Sequence, residues 1–277
     1  MTARLFRPVQ WLKYAFLWLG VLSILFPPYV VFLNAFKGQQ EFAQSHVFDW
    51  PRSFLNFENF EYVLSAGNML QAFGNTGYIM ALSLAANLLI GTMAAYVLGR
   101  FEFRLKKYVM AIYIAIAFIP TITTQVAIFT VIKSLGLFNT IYAPVVLYIG
   151  TDIMQLYVYL QFIRTIPYEL DEAAMVEGAS LFRIYRSIVL PLLMPAVTTM
   201  MIIKSINIYN DMYIPYLYMP AQELGVVSTT LMRFVAGRTT EWQYISASIL
   251  IIMLPLIALF LFAQKYVFAG IVTGAVK

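Results

Sequence analysis

Cysteine is absent from all 277 residues, histidine occurs once, at His46, and only 11% of the side chains are charged. Without cysteine there is no disulfide framework, no thiolate metal site and no cysteine nucleophile. A lone histidine cannot build a multi-histidine metal centre, and it excludes most histidine-dependent catalysis. No lysine follows a glycine, so the phosphate-cradling Gly-Lys-[Ser/Thr] ending cannot occur. If the chain's work needs ATP, another polypeptide binds it. The shortage of charge says most. A water-soluble domain is about 25% charged and 45–50% apolar, whereas this chain is 61% hydrophobic with a mean hydropathy of +0.78. Too few charges exist to cover a water-facing surface, and the composition implies a polytopic membrane protein. The net charge of +5 then reflects basic loops on one side of a bilayer rather than a nucleic-acid surface.

Crossing a ~30 Å hydrocarbon core takes about 20 apolar residues in a helix. Six stretches qualify: 14–36, 71–98, 108–132, 140–163, 190–216 and 243–263. The expectation is an all-α membrane protein with six transmembrane helices in a single domain over residues 1–277. Pro27 and Pro28 predict a kink in the first helix, because a mid-helix proline removes a backbone hydrogen bond. Only two stretches carry charge, the fourth through Asp152 and the fifth through Lys204 and Asp211. Twelve lysines and arginines fall on one side of this arrangement, five on the other, and Lys204 between. Positive charge marks the cytoplasmic side, which places both termini in the cytoplasm. The segments 37–70 and 217–242 then face outward, and 165–191 is cytoplasmic.

That last segment reads TIPYELDEAAMVEGASLFRIYRSIVLP. Thr165 and Pro167 suit a helix start, since proline in the first turn forfeits only an orphan N–H. Glu169, Asp171 and Glu172 follow, where carboxylates meet the positive end of the helix dipole. Ala173 and Ala174 are small enough to let another surface approach. Gly178 suits a C-terminal stop, and Ser180 suits the cap of a second helix. An amphipathic helix at the lipid interface is an alternative. Its polar face on an anionic leaflet should be basic, which the acid-rich first turn is not, but the residue pattern alone leaves both readings open.

Glu172-Ala173-Ala174, then Gly178, then Ile188-x-Leu190-Pro191 resembles the EAA motif of binding-protein-dependent ABC importer permeases at every fixed position. Ile166-Pro167-x-Glu169-Leu170, Gly178-Ala179-Ser180, Ala94-Ala95-Tyr96-x-Leu98-x-Arg100-Phe101 and the C-terminal Thr273-Gly274-Ala275-Val276-Lys277 resemble the carbohydrate class, the group of the maltose permease subunits. The similarity runs from about Phe54 to Lys277. It implies the type I ABC importer permease fold, with the chain as one permease domain in a bacterial or archaeal cytoplasmic membrane. It further implies a separate cytoplasmic ATPase that binds ATP and Mg, so that this chain is not itself an enzyme. The implied partners are two ATPase copies or a pair, a second and paralogous permease, an extracytoplasmic solute-binding protein and a carbohydrate. The EAA segment would be the coupling helix that docks on the ATPase, a role that falls to Glu169, Asp171, Glu172, Ala173, Ala174, Gly178 and Ser180.

Charged and polar residues inside a span mark a pathway or a partner by default. At ~100° per residue, Lys204, Asn207 and Asp211 fall on one stripe about 60° wide. Asp152, Gln155 and Tyr159 repeat the same spacing in the fourth span, and Tyr209, Asn210 and Tyr213 add polar and aromatic surface to the fifth. Carboxamides, carboxylates and aromatic faces suit a neutral sugar, so these nine are substrate-path candidates. The same groups could instead hydrogen-bond neighbouring helices, or, for Lys204, an acid on a partner. Thr121, Thr123, Thr124 and Gln125, after Pro120, are weaker candidates that more simply satisfy backbone freed by the proline. In the outward segment, Gln222, Glu223, Thr229, Thr230, Arg233 and Arg238 correspond by position to a loop that contacts the binding protein in relatives, although a solvated connector is equally compatible. The aromatics of 37–70 suit an interfacial cap.

Two further readings differ in class or cargo. The same machinery could import glycerol phosphate or a related polyol, for which Lys204 is the sole intramembrane cation. An ion-coupled secondary transporter would use Asp152 and Asp211, but it should show inverted repeats, and no internal repeat is evident. No residue set suggests a metal site, and a membrane-embedded enzyme lacks a nucleophile–base cluster.

Overall fold

A computed structural model describes residues 6–65, 68–236 and 241–275. Every regular element among the described residues is helical. In chain order these are α1 (Phe6–Ala35), α2 (Gln39–Gln44), α3 (Glu58–Ser65), α4 (Met69–Arg100), α5 (Lys106–Ala117), α6 (Thr121–Ser134), α7 (Tyr142–Ile149), α8 (Ile153–Thr165), α9 (Glu169–Val176), α10 (Leu181–Ile184), α11 (Leu190–Asn210), α12 (Tyr213–Tyr218), α13 (Val227–Ala236) and α14 (Trp242–Ala275). A π-turn, Tyr185–Val189, joins α10 to α11, and a 3-10 turn, Gln222–Leu224, precedes α13. Among the described residues, four helical stretches are long and apolar enough to cross a bilayer: Gln10–Ala35, Met69–Arg100, Leu181–Asn210 and Trp242–Phe262. Two bent pairs, α5 with α6 and α7 with α8, raise the number to as many as six.

Breaks fall where the sequence suggested continuous spans, and each has a local cause. α5 and α6 meet at 109° because Pro120, extended at ψ 127°, has no N–H to continue the ladder. The hydroxyl of Thr123 donates to the carbonyl of Pro120 and that of Thr124 to the carbonyl of Thr121, within the first turn of α6. α7 and α8 meet at 46° across Gly150 and Thr151. α11 stops at Asn210 rather than running to 216, since Asp211 turns extended and starts the next short helix. α1 runs through Pro27 and Pro28 as one helix. An apolar chain in lipid has no other donor for its backbone, so it keeps the helix and forgoes the few lost bonds.

The chain forms two compact units. In the unit that takes the residues up to Leu70 and Thr230–Ile257, α1 ends under Asn59, whose amide donates to the carbonyls of Ala35 and Lys37 at 2.8 Å each. Phe36 lies at the centre of an aromatic group, 5.1–5.9 Å from the rings of Phe32, Phe54, Phe57 and Phe60. Lys37 is buried beside it and donates to the His46 carbonyl at 2.7 Å. Burial lowers its pKa, and Asp49 and Glu41 oppose that.

In the unit that takes Gln71–Thr229, α4 is the axis. Near its C-terminal end Ala95 and Leu98 join Leu156, Ile163, Val189 and Leu193 in one apolar core. Nearer its start Ile79 joins Val145, Tyr148 and Ile208 in another. Sixteen residues of helix separate Ile79 from Ala95, about 24 Å at 1.5 Å per residue, and the stretch between carries the buried polar residues Ser83 and Asn87. α4 and α8 pack closely enough at Gly99 that an added Cβ would lie 2.8 Å from Cγ2 of Ile163.

Candidate functional site

Pro167 terminates α8. A residue before proline is driven out of the helical region, and Ile166 takes φ −82°, ψ 120°. The chain re-enters a helix at Glu169, two residues beyond the proline. α9 is only two turns long, so periodicity sorts it into two faces. Glu169, Glu172, Ala173 and Val176, spaced i, i+3, i+4 and i+7, are all exposed, Val176 at 89%. Asp171 and Ala174 turn inward, Asp171 to 3% exposure.

The stop is a Schellman turn. The Ala179 N–H donates to the Ala174 carbonyl at 2.9 Å and the Gly178 N–H to Met175 at 3.0 Å. Gly178 supplies the required left-handed residue at φ +81°, a conformation in which a Cβ would be strained. Ser180 is extended, and its hydroxyl accepts from the Arg183 N–H at 3.3 Å, capping α10. The apolar side chains of Tyr168, Leu170, Met175, Leu181 and Phe182 are also exposed around this turn. The segment therefore presents acids, a small residue and greasy rims on one surface, which is unlike a basic amphipathic helix lying on lipid.

Asp171, named with the coupling residues, does not share that exposed surface. Its Oδ2 lies 2.9 Å from Nε of Arg100, the last residue of α4, with both side chains under a tenth exposed. Arg100 also donates from Nη1 to the Ile166 carbonyl at 3.1 Å and lies over the Tyr168 ring, 5.6 Å from its centroid. Burial raises the Asp171 pKa and the guanidinium works against it. Two further residues of α4 reach the same segment. Tyr96 donates to the Leu181 carbonyl at 3.4 Å, and the hydroxyls of Thr92 and Tyr185 are 2.7 Å apart. The sequence reading counted Arg100 only as a cytoplasmic charge and part of a motif. An arginine closing an apolar helix, with an odd acid inside the motif, was the signal.

The polar stripes of the spans are resolved differently. Asp152 is not within a continuous span: it is exposed and caps α8, its Oδ1 accepting from the Gln155 N–H at 2.8 Å. Gln155 and Tyr159 are buried to 1% and 0% exposure. Gln155 donates to Oδ1 of Asn87 at 2.6 Å and to the Tyr159 hydroxyl at 3.0 Å. Asn87 in turn donates to the carbonyls of Ile149 and Gly150, and Lys204 donates to the same Gly150 carbonyl at 2.8 Å. Asp211 accepts from the Tyr148 hydroxyl and from the N–H groups of Tyr213 and Ile214. These groups repair the two helix breaks, and Asn87, which sequence reasoning passed over, is the centre of one repair. Asn207, Asn210 and Tyr213 remain exposed, while Tyr209 is buried.

In the 217–242 segment, Gln222, Glu223 and Arg233 are exposed, whereas Thr229 and Thr230 are buried at 5% each rather than on a polar face. Thr229 is engaged with the backbone of Val226. Gln71 and Asn75 hold the Glu223 carbonyl at 2.9 Å. Arg238 lies outside the described residues.

Comparison with known proteins places this architecture. Residues 87–272 match the family described as "Binding-protein-dependent transport system inner membrane component". The chain is 33% identical to the melibiose/raffinose/stachyose import permease protein MelC of Bacillus subtilis, over 91% of each chain. It is 30% identical to the probable starch degradation products transport system permease protein AmyC of Thermoanaerobacterium thermosulfurigenes, over 98% of this chain and 99% of that one. A chain of a bacterial ABC transporter involved in the import of the acidic polysaccharide alginate superposes with a TM-score of 0.86 over 96% of this chain and 99% of that chain. At 18% identity this similarity speaks to the fold alone.

Proposed function

The chain belongs to the binding-protein-dependent transport system inner membrane components, and from that membership we propose that it is the permease subunit of an ATP-driven importer of oligosaccharides. ATP and Mg are bound and ATP is hydrolysed on a separate cytoplasmic ATPase. The remaining partners are a second permease and an extracytoplasmic solute-binding protein. The termini and the 165–191 segment face the cytoplasm.

One observation carries the coupling role: α9 offers Glu169, Glu172, Ala173 and Val176 on a single exposed face, ended by the left-handed turn at Gly178. The acids match basic residues of an ATPase socket, and Ala173 keeps the contact close. Closure of two ATPases around ATP then displaces α9 and favours the outward-open arrangement of the spans. The switch is driven by the difference in ATP affinity between the two states. Asn207, Asn210 and Tyr213 are the path residues we retain for the sugar, since their side chains are exposed beside the α11–α12 break. Lys204 lends its ammonium to the Gly150 carbonyl, which disfavours a phosphate cargo. Asp152 and Asp211 act as helix caps, which disfavours ion coupling.

Purification in mild detergent should co-elute a nucleotide-binding subunit and a second multispanning protein. Proteoliposomes holding that complex and a sugar-loaded binding protein should take up sugar only with ATP. Glu172→Lys should abolish uptake while leaving membrane insertion intact. ATP-independent uptake by this chain alone, or normal uptake by the Glu172→Lys complex, overturns the reading.

A further inference from the structure

The coupling segment is joined in sequence to α8 and α11, yet its polar anchors lie elsewhere. Thr92, Tyr96 and Arg100 are spaced i, i+4 and i+8, one stripe along the last turns of α4. The stripe meets the segment at three places: Thr92 at Tyr185 in the π-turn, Tyr96 at the Leu181 carbonyl in α10, and Arg100 at Asp171, Ile166 and Tyr168 around α9. All three anchors thus belong to a helix remote in sequence from the segment they hold.

The chain on either side of α9 is poorly suited to carrying a push. Towards α8 it is broken at Ile166 by Pro167. Towards α11 it turns through Gly178 at φ +81° before the continuous helical run Leu181–Asn210 begins, so a push on that side must also cross a non-helical bend. α4, by contrast, is unbroken from Met69 to Arg100.

We infer that Thr92, Tyr96 and Arg100 form a clamp through which displacement of the coupling helix is delivered to α4, making α4 the output arm of the switch and these three its positioning residues. Arg100 is the principal grip, because its guanidinium joins both ends of the bend at Pro167: the Ile166 carbonyl before it and the Asp171 carboxylate after it. A rigid helix so held carries a movement at Arg100 along its length to Asn87, which holds the Ile149 and Gly150 carbonyls at the α7–α8 break. Motion of α9 would in this way reach the middle of the spans without passing through the weak joints on either side of it.

The inference rests on the coupling reading above, and the test separates the two. In proteoliposomes of the complete transporter, sugar taken up per ATP hydrolysed is measured for the native complex first; ATP-driven uptake there establishes the reading independently of any clamp. Arg100→Met is then expected to co-purify with the ATPase while uptake per ATP falls on the order of tenfold, the scale of a typical coupling energy between sites. The exchange Arg100→Asp with Asp171→Arg should recover part of that loss, since charge opposition is restored while the bond to Ile166 is not. Thr92→Val and Tyr185→Phe each delete one hydroxyl with little change of volume, so they report on the clamp even if Arg100→Met proves too unstable to assemble. Each should lower uptake per ATP several-fold, and the pair together no more than either alone. Native uptake per ATP in Arg100→Met, or in both hydroxyl variants, overturns the inference. So does loss of the ATPase from an otherwise folded Arg100→Met complex, because Arg100 would then merely shape the docking surface.

Discussion

The two polar regions of the Gln71–Thr229 unit have similar raw material and opposite outcomes. The 165–191 segment holds four acids, and three of them, Glu169, Glu172 and Glu177, are exposed while Asp171 alone turns inward. The mid-span cluster holds Asn87, Gln155, Tyr159 and Lys204, and each is hydrogen-bonded inside the chain. Water explains the difference. Where solvent can satisfy the α9 backbone, side-chain charge is left over for a partner. In lipid a broken helix has no such relief, and an unmet carbonyl is costly. Nearby amides and ammonium groups are therefore taken by the chain's own breaks before any substrate can use them.

The comparison breaks first at Asp171. It is the exception in its region, an acid treated as a buried group, and removing one member of a buried pair leaves the other charge uncompensated. Asp171→Leu should therefore destabilise the purified complex by about 3–5 kcal/mol, read as a lower midpoint of thermal unfolding in detergent. Adding Arg100→Leu should recover most of it. A neutral Asp171→Leu would mean that the acid is effectively as solvated as Glu172. Next is Asn87→Leu, which strips the Ile149 and Gly150 carbonyls and the Gln155 amide of a partner. Leaving buried polar groups unmet costs about 1–3 kcal/mol, again seen in the unfolding midpoint. An unchanged midpoint would show that water reaches the break and would return Gln155 to the substrate-path candidates.

The course of the backbone was largely legible. Long apolar runs marked α1, α4, α11 and α14, and the EAA segment announced a glycine-stopped helix followed by a serine cap. What could not be read was how polar residues divide between chain and cargo. The spacing of Asp152, Gln155 and Tyr159 is the same whether they line a path or mend a break. The choice depends on where the helix ends, and Gly150 and Thr151 give only a faint sign of an ending. Asn87 escaped notice because a lone carboxamide in an apolar span has no partner visible in sequence. Arg100 and Asp171 are distant in sequence, and their pairing follows only from the turn at Pro167.

Smaller effects sharpen the same contrast. Gly99→Ala brings a methyl to 2.8 Å from Ile163 Cγ2 and should cost about 1–3 kcal/mol through overpacking, since neither helix can step aside without disturbing the core they share. Ser180→Ala is smaller still. Its hydroxyl accepts one amide at 3.3 Å on an exposed surface, where water substitutes readily, so the loss should be at the low end of the roughly 0.5–2 kcal/mol range for an N-cap. The unfolding midpoint should scarcely move, but amide exchange at Arg183 should accelerate, because that N–H loses its acceptor. The pairing of these two variants is the informative part: a removed bond that water replaces and an added methyl that nothing accommodates. If Ser180→Ala instead lowers the midpoint as much as Asn87→Leu does, then the turn after Gly178 is shielded from solvent in the purified complex, and the surface that a partner covers extends from α9 through α10.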